Sequence, residues 1–142
     1  MIIRQIKFKD FPSMQPLLSQ LGYPATVEAV QARFEYICTL RDYEVLVAEN
    51  HEEIVGMIGF IKQFAFEMDG PIVRIQALVV DERHRNKGVA QALMENVEKW
   101  AREQQCVVIT LNSGNRPERE AAHAFYRKLG FIGKSTGFSK LL

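Results

Sequence analysis

The feature that most constrains this chain is the run over residues 72–111. "PIVRIQALVVD" reads as a strand and "ERHRNKG" as a short polar turn. The next stretch, from Val89 onward, puts Val89, Leu93, Val97 and Trp100 on one helical face, widened by Ala90, Met94 and Ala101. "CVVITL" is a nearly continuous apolar run, which suits a strand buried on both faces. Strand, turn, one-sided helix and strand in that order make a βαβ unit, with a right-handed crossover expected. The helix has to lay its apolar stripe on the sheet, so the chain is committed to a sheet with helices packed on it.

The remaining segments extend that sheet. "IIRQI" alternates and reads as a short strand. Phe11, Met14, Leu17, Leu18 and Leu21 follow helical spacing, and "LGYP" ends that helix. Val27, Val30, Phe34 and Ile37 mark a second helix with Thr26 as its cap. "EVLVAEN" and "EEIVGMIGFIKQFAFEM" are strands, and Asp69-Gly70 between apolar runs signals an antiparallel hairpin. "RPEREAAHAFYRKLG" is a helix, capped by Asn115, tolerant of Pro117 in its first turn and stopped by Gly130. "GFSKLL" reads as a closing edge strand. The expected order is β-α-α-β-β-β-α-β-α-β: a mixed α/β fold, mostly antiparallel with one parallel βαβ unit and helices on both faces, forming one domain over residues 1–142.

Composition removes several function classes. A formal net charge of +1 gives no long-range pull toward nucleic acid or an anionic membrane, so any anion site must be local. No window approaches the roughly 18 apolar residues of a membrane span. The opening "MIIRQIKFKD" has no signal-peptide core, and a cytoplasmic location is the expectation. Cys38 and Cys106 are far apart and read as two reduced, buried thiols; no metal-ligand pattern is present.

One local oddity points to a ligand. Arg83, His84, Arg85 and Lys87 crowd the start of the long helix, where the partial positive charge of the helix end favours anions instead. A strand running through a small-residue turn into a helix N-terminus makes an anion cradle, with free backbone N–H groups converging and Gly88 allowing close approach. A bound diphosphate would reconcile the cations with the dipole; without one, the turn is an ordinary solvated helix start. In "AAHAFYRKLGF", Ala122, Phe125 and Leu129 share a face, and on spacing alone Tyr126 and His123 read as packed helix residues.

Taken together, "LVVDERHRNKGVAQALM" and "AHAFYRKLGF" resemble the two signature motifs of the GNAT superfamily of N-acetyltransferases. Arg85, Gly88 and Ala90 match its R/Q-x-x-G-x-G/A loop, and Tyr126 with "KLGF" matches its tyrosine motif. The resemblance covers essentially the whole chain and is most specific over residues 72–133. It implies direct transfer of acetyl from acetyl-CoA to an amine. Leu78, Val79 and Val80 would hold the pantetheine arm by backbone pairing. Backbone groups of Asn86, Lys87, Gly88, Val89, Ala90 and Gln91, with Arg85, would hold the pyrophosphate. An N–H near Val79 or Val80 would polarise the thioester carbonyl. Tyr126 would protonate the leaving thiolate.

Two departures from the family pattern bear on the acceptor. Gln76 and Ala77 stand where relatives often carry a glutamate base, which leaves a water chain, Glu35, Glu67 or His123 for that role. Arg119 replaces a common asparagine, and "IVGMIG", "IQALVV" and "AHAFY" resemble a branch that includes aminoalkylphosphonate N-acetyltransferases, although the carboxylate expected at Ala77 is missing. On the acceptor side, Tyr23 in "QLGYPATVE" and the carboxylates Glu28, Glu35, Glu67 and Asp69 are candidates to meet a cationic amine. The expected partners are acetyl-CoA and a small-molecule amine, with homodimers frequent among relatives. The alternatives are a non-catalytic CoA-binding sensor and an acetyltransferase of protein N-termini or lysines.

Overall fold

The structure, a computed structural model, describes all 142 residues. It divides into two compact units, Met1–Thr110 and Leu111–Leu142. In chain order the elements are β1 (Ile2–Gln5), α1 (Phe11–Leu21), α2 (Val27–Ile37), β2 (Tyr43–Asn50), β3 (Glu53–Phe64), β4 (Pro71–Val80), α3 (Val89–Glu103), β5 (Val108–Leu111) and α4 (Glu120–Lys128). The five strands form one sheet in the order β1-β2-β3-β4-β5. The first three pairings are antiparallel. β5 returns through α3 and starts beside the start of β4, where the Val107 N–H donates to the Pro71 carbonyl at 2.9 Å. That start-to-start contact is the parallel arm of the βαβ unit.

The helix ends follow their local chemistry. α1 stops at Gly22, whose φ of +109° lies in the left-handed region. α2 begins at Thr26, whose hydroxyl accepts the Ala29 N–H at 3.1 Å. One face of the sheet is covered by α1 and α2, where Phe11, Met14, Leu17, Val30 and Phe34 bury against Val45, Val47, Met57 and Val79. The opposite face carries α3, with Leu93 and Val97 fully buried and Trp100 packed edge-on to Phe60 at 5.1 Å. Strand alternation sends Met57 to the first layer and Gly56 and Phe60 to the second.

At Gly56, α3 packs tightly on the sheet. A Cβ there would sit 3.1 Å from Val89 Cγ1, 3.2 Å from the Val79 carbonyl oxygen and 3.4 Å from Leu93 Cδ1. The carbonyl belongs to the β-ladder and cannot yield cheaply. Gly56→Val should therefore cost about 1–3 kcal/mol through overpacking, read as a lower urea midpoint at unchanged slope. An unchanged midpoint would mean that α3 is free to move outward.

Several expectations are corrected. Residues 131–142 carry no strand, so "GFSKLL" does not close the sheet. A strand exists only within a ladder, and the adjacent Leu141 and Leu142 break the in-out alternation that would favour one. Asn115 does not cap the last helix. That helix is entered through a 3-10 turn, Pro117–Arg119, with Arg116 at its N-cap and no side-chain cap. β5 is half-buried along its length because it lies outermost in the sheet. Cys38 is exposed at the end of α2 and Cys106 is half-buried; both are free thiols.

Candidate functional site

The first unit builds its site at the end of β4. Gly59 pairs with Ala77, but the next residue, Phe60, pairs with Ile75, leaving Gln76 as an extra residue on β4. This β-bulge bends the strand and re-aims everything after it. Past the bulge, the Asp81 N–H donates to the Val55 carbonyl at 2.8 Å. Strand alternation then turns the Val79 N–H toward β3 and the N–H groups of Leu78 and Val80 away from it. The Val80 carbonyl also faces away from β3 and accepts Arg85 Nε at 3.2 Å.

The turn into α3 has an unusual backbone. Asn86 at φ +61° and Gly88 at φ +80° are both left-handed, one on each side of Lys87. Alternating conformations of this kind make successive N–H groups converge on an anion. Gly88 is the N-cap of α3 and brings no side-chain cap, so the first-turn N–H groups of Val89, Ala90 and Gln91 remain available. A Cβ placed at Gly88 would meet nothing within 4 Å. The chain itself leaves that space open, and φ is what demands glycine there. Arg85, Asn86, Lys87, Gly88 and Gln91 are exposed, Ala90 is half-buried and Val89 is buried under the turn. Converging donors, an open front and two exposed cations without a carboxylate partner fit a diphosphate.

The other two cations have local reasons. Arg83 Nη2 lies 2.8 Å from Asp81 Oδ2 and 2.7 Å from Glu53 Oε1. His84 is half-buried with its Nδ1 shielded and unpaired, 4.0 Å from Asp81 Oδ2. The Arg83 guanidinium, followed by its own N–H, lowers the Asp81 carboxyl to about 2. A carboxyl depressed by folding stabilises the fold above its ordinary value and loses that contribution on acidification. Stability should thus fall as pH drops from about 4 to about 2, and Asp81→Asn should flatten that decline. Thermal midpoints of the two proteins across this range provide the check, and parallel curves would contradict the assignment.

The second unit holds Tyr126 in a defined frame. α4 ends in a Schellman motif: the Gly130 N–H donates to the Arg127 carbonyl and the Phe131 N–H to the Tyr126 carbonyl, both at 3.0 Å. Gly130 takes φ +95°, which accounts for the glycine of "KLGF". Phe131 then folds back, its ring 5.8 Å from the Tyr126 ring, while Phe125 packs on Tyr126 at 5.6 Å. Burial pushes the Tyr126 hydroxyl above its ordinary value, with the Arg119 charge pulling weakly the other way. The phenol therefore keeps its proton at neutral pH. Gly130→Ala should cost about 1 kcal/mol in backbone strain and lower turnover more than acetyl-CoA affinity, because it loosens the frame around Tyr126. Equal losses in both would contradict that framing role.

The structure separates the remaining candidates. Glu67 and Asp69 are exposed at the β3–β4 hairpin, roughly 20 Å along β4 from the bulge. Glu28 and Glu35 are exposed on α2, where Glu35 accepts from Gln31 at 3.3 Å. Tyr23 is exposed in the α1–α2 loop, and His123 is half-buried on α4. Two features escaped the sequence reading. The bulge at Gln76 is a property of pairing, and "RIQALVV" alternates as any strand does. The bond from the Glu82 N–H to Gln20 Oε1, at 2.9 Å, joins residues 62 apart and has no local signal.

The chain is similar to known acetyltransferases along most of its length. The profile of the Acetyltransferase (GNAT) family matches residues 5–131. N-acetyltransferase 8 of Homo sapiens is 37% identical over 98 residues, covering 66% of this chain and 39% of that protein. The chain thus spans about two-fifths of the human relative's length. Glucosamine 6-phosphate N-acetyltransferase 1 of Oryza sativa subsp. japonica is 31% identical over 126 residues, covering 84% of this chain and 73% of that protein. A solved GNAT family acetyltransferase of Staphylococcus aureus subsp. aureus USA300_TCH1516 superposes with a TM-score of 0.84 at 29% identity, over 99% of this chain and 98% of that one. With a family profile matched along nearly its whole length, this chain belongs to the acetyltransferase (GNAT) family.

Proposed function

We propose that the chain transfers the acetyl group of acetyl-CoA to a primary amine of a small molecule, by direct attack of the amine on the thioester. The observation that carries this reading is the open left-handed turn at Asn86 and Gly88, which presents uncapped N–H groups beside Arg85 and Lys87. Arg85 and the N–H groups of Asn86, Lys87, Gly88, Val89, Ala90 and Gln91 hold the diphosphate. Leu78, Val79 and Val80 line the pantetheine arm. The Val80 N–H, turned away from β3, donates to the thioester oxygen and stabilises the tetrahedral oxyanion. As the C–S bond breaks, the Tyr126 hydroxyl gives its proton to the departing thiolate. No carboxylate stands at Gln76 or Ala77, so the attacking nitrogen loses its proton through water. The units Met1–Thr110 and Leu111–Leu142 work as one domain in this reading.

The test is thiol release from acetyl-CoA over an amine panel: aminoalkylphosphonates, aminoglycosides, polyamines and amino acids, with and without a divalent metal. Amine-dependent release is expected, and failure to bind acetyl-CoA at submillimolar concentration would overturn the reading. A CoA-binding module without turnover is favoured only by the missing strand carboxylate; tight binding with no release on any amine would support it.

The setting is proposed on the same footing. Free Cys38 and Cys106 suit a reducing cytoplasm. A net charge of +1 gives nucleic acid and anionic membranes little to hold. The exposed Phe138, Leu141 and Leu142 support a homodimer, which light scattering decides.

A further inference from the structure

We infer that Gln20 on α1 and Glu53 at the start of β3 are positioning residues for the diphosphate cradle, holding its turn in the bound geometry before any ligand arrives. The inference rests on the donor-binding reading of residues 86–91.

Every residue over 82–88 is exposed apart from the half-buried His84, so almost no apolar burial fixes this turn. On one side it borders a cleft of about 480 Å³ lined by Gln20, Glu53, Asp81, Glu82 and Arg83 among others, in place of packed side chains. Yet the turn carries two left-handed residues, Asn86 and Gly88, and cradle donors that are main-chain N–H groups. Such donors cannot be re-aimed by changing rotamers. Their direction is set by the path of the chain that precedes them.

That path is held from three sides by hydrogen bonds. From α1, Gln20 Oε1 accepts the Glu82 N–H at 2.9 Å. From the start of β3, Glu53 Oε1 accepts from Arg83 Nη2 at 2.7 Å. From the end of β4, Asp81 Oδ2 takes the same Nη2 at 2.8 Å and Asp81 Oδ1 accepts the Arg83 N–H at 3.1 Å. Gln20 and Glu53 lie far from the turn in sequence, so each bond ties the turn to the rigid body of the unit. An exposed bond of this kind contributes little to global stability, but a loose turn must be ordered when ligand binds, and affinity falls by that ordering cost.

The experiment is titration calorimetry with CoA, alongside steady-state kinetics. Gln20→Ala is expected to weaken CoA binding about 3–10-fold, with the loss appearing in the KM for acetyl-CoA more than in kcat. Gln20→Glu keeps an acceptor oxygen and is expected to restore most of the affinity. Glu82→Pro removes the N–H donor at a position where proline is tolerated, the first residue of a short helical turn after an extended residue. In that background Gln20→Ala should cause no further loss. Wild-type affinity in Gln20→Ala, or an undiminished loss in the Glu82→Pro background, would overturn the inference. So would a fall of the thermal midpoint by more than about 5 °C in Gln20→Ala, since that marks a general structural role. Failure of the wild-type protein to bind CoA would instead sink the donor-site reading itself.

Discussion

Tyr126→Phe is expected to lower kcat by about 100-fold while leaving CoA affinity within about twofold of wild type. The change removes one oxygen and keeps the ring, so the packing against Phe125 and Phe131 survives. In the proposed mechanism, what disappears is the proton donor. The departing thiolate must then take its proton from water, which is neither held nor matched to it. The wild-type enzyme should also show an alkaline limb above the ordinary tyrosine value of about 10, because burial raises the Tyr126 hydroxyl. Below that limb the phenol is protonated and competent; above it, the acid is lost. Phenylalanine should abolish the limb along with most of the rate. A variant that matches wild type at every pH would remove Tyr126 from the chemistry.

Arg85→Glu should weaken CoA binding by about 100-fold. The substitution replaces a cation with an anion at the mouth of the cradle and breaks the bond from Nε to the Val80 carbonyl. The lost attraction and the gained repulsion act in the same direction on one diphosphate, and a charge-assisted hydrogen bond alone is worth about 1.5–3 kcal/mol. Arg85→Gln separates them, because it removes the charge without inverting it, and an intermediate loss is expected. Raising the salt concentration should narrow the gap between variant and wild type, since exposed charges are screened. A loss independent of salt would assign the effect to the Val80 bond instead.

The sequence made these two sites legible for a specific reason. Each contains a glycine at a left-handed position, Gly88 and Gly130, a few residues after the side chain proposed to act there. Backbone constraints of that kind appear in the chain as single letters at set spacings. The helices were legible because their caps and apolar stripes are local, as at Thr26 and along α3. What escaped depends on partners far along the chain. The bulge at Gln76 exists only in the register of β4 against β3. Arg83 looked like one of four cations awaiting an anion, but it had carboxylates of its own in Asp81 and Glu53, the latter 30 residues away. That leaves Arg85 and Lys87 as the cations proposed to meet the diphosphate. The C-terminal stretch shows the same dependence, because apolar content alone does not make a strand without a ladder to join.

In the proposed complex, acetyl-CoA sits with its diphosphate on the turn before α3 and its pantetheine arm along the end of β4. The most direct measurement is the shift of assigned backbone amide resonances on titration with CoA. The largest shifts are expected on Asn86, Lys87, Gly88, Val89, Ala90 and Gln91, followed by Leu78 and Val80. Saturation with those amides unmoved, or shifts confined to another surface, would contradict it.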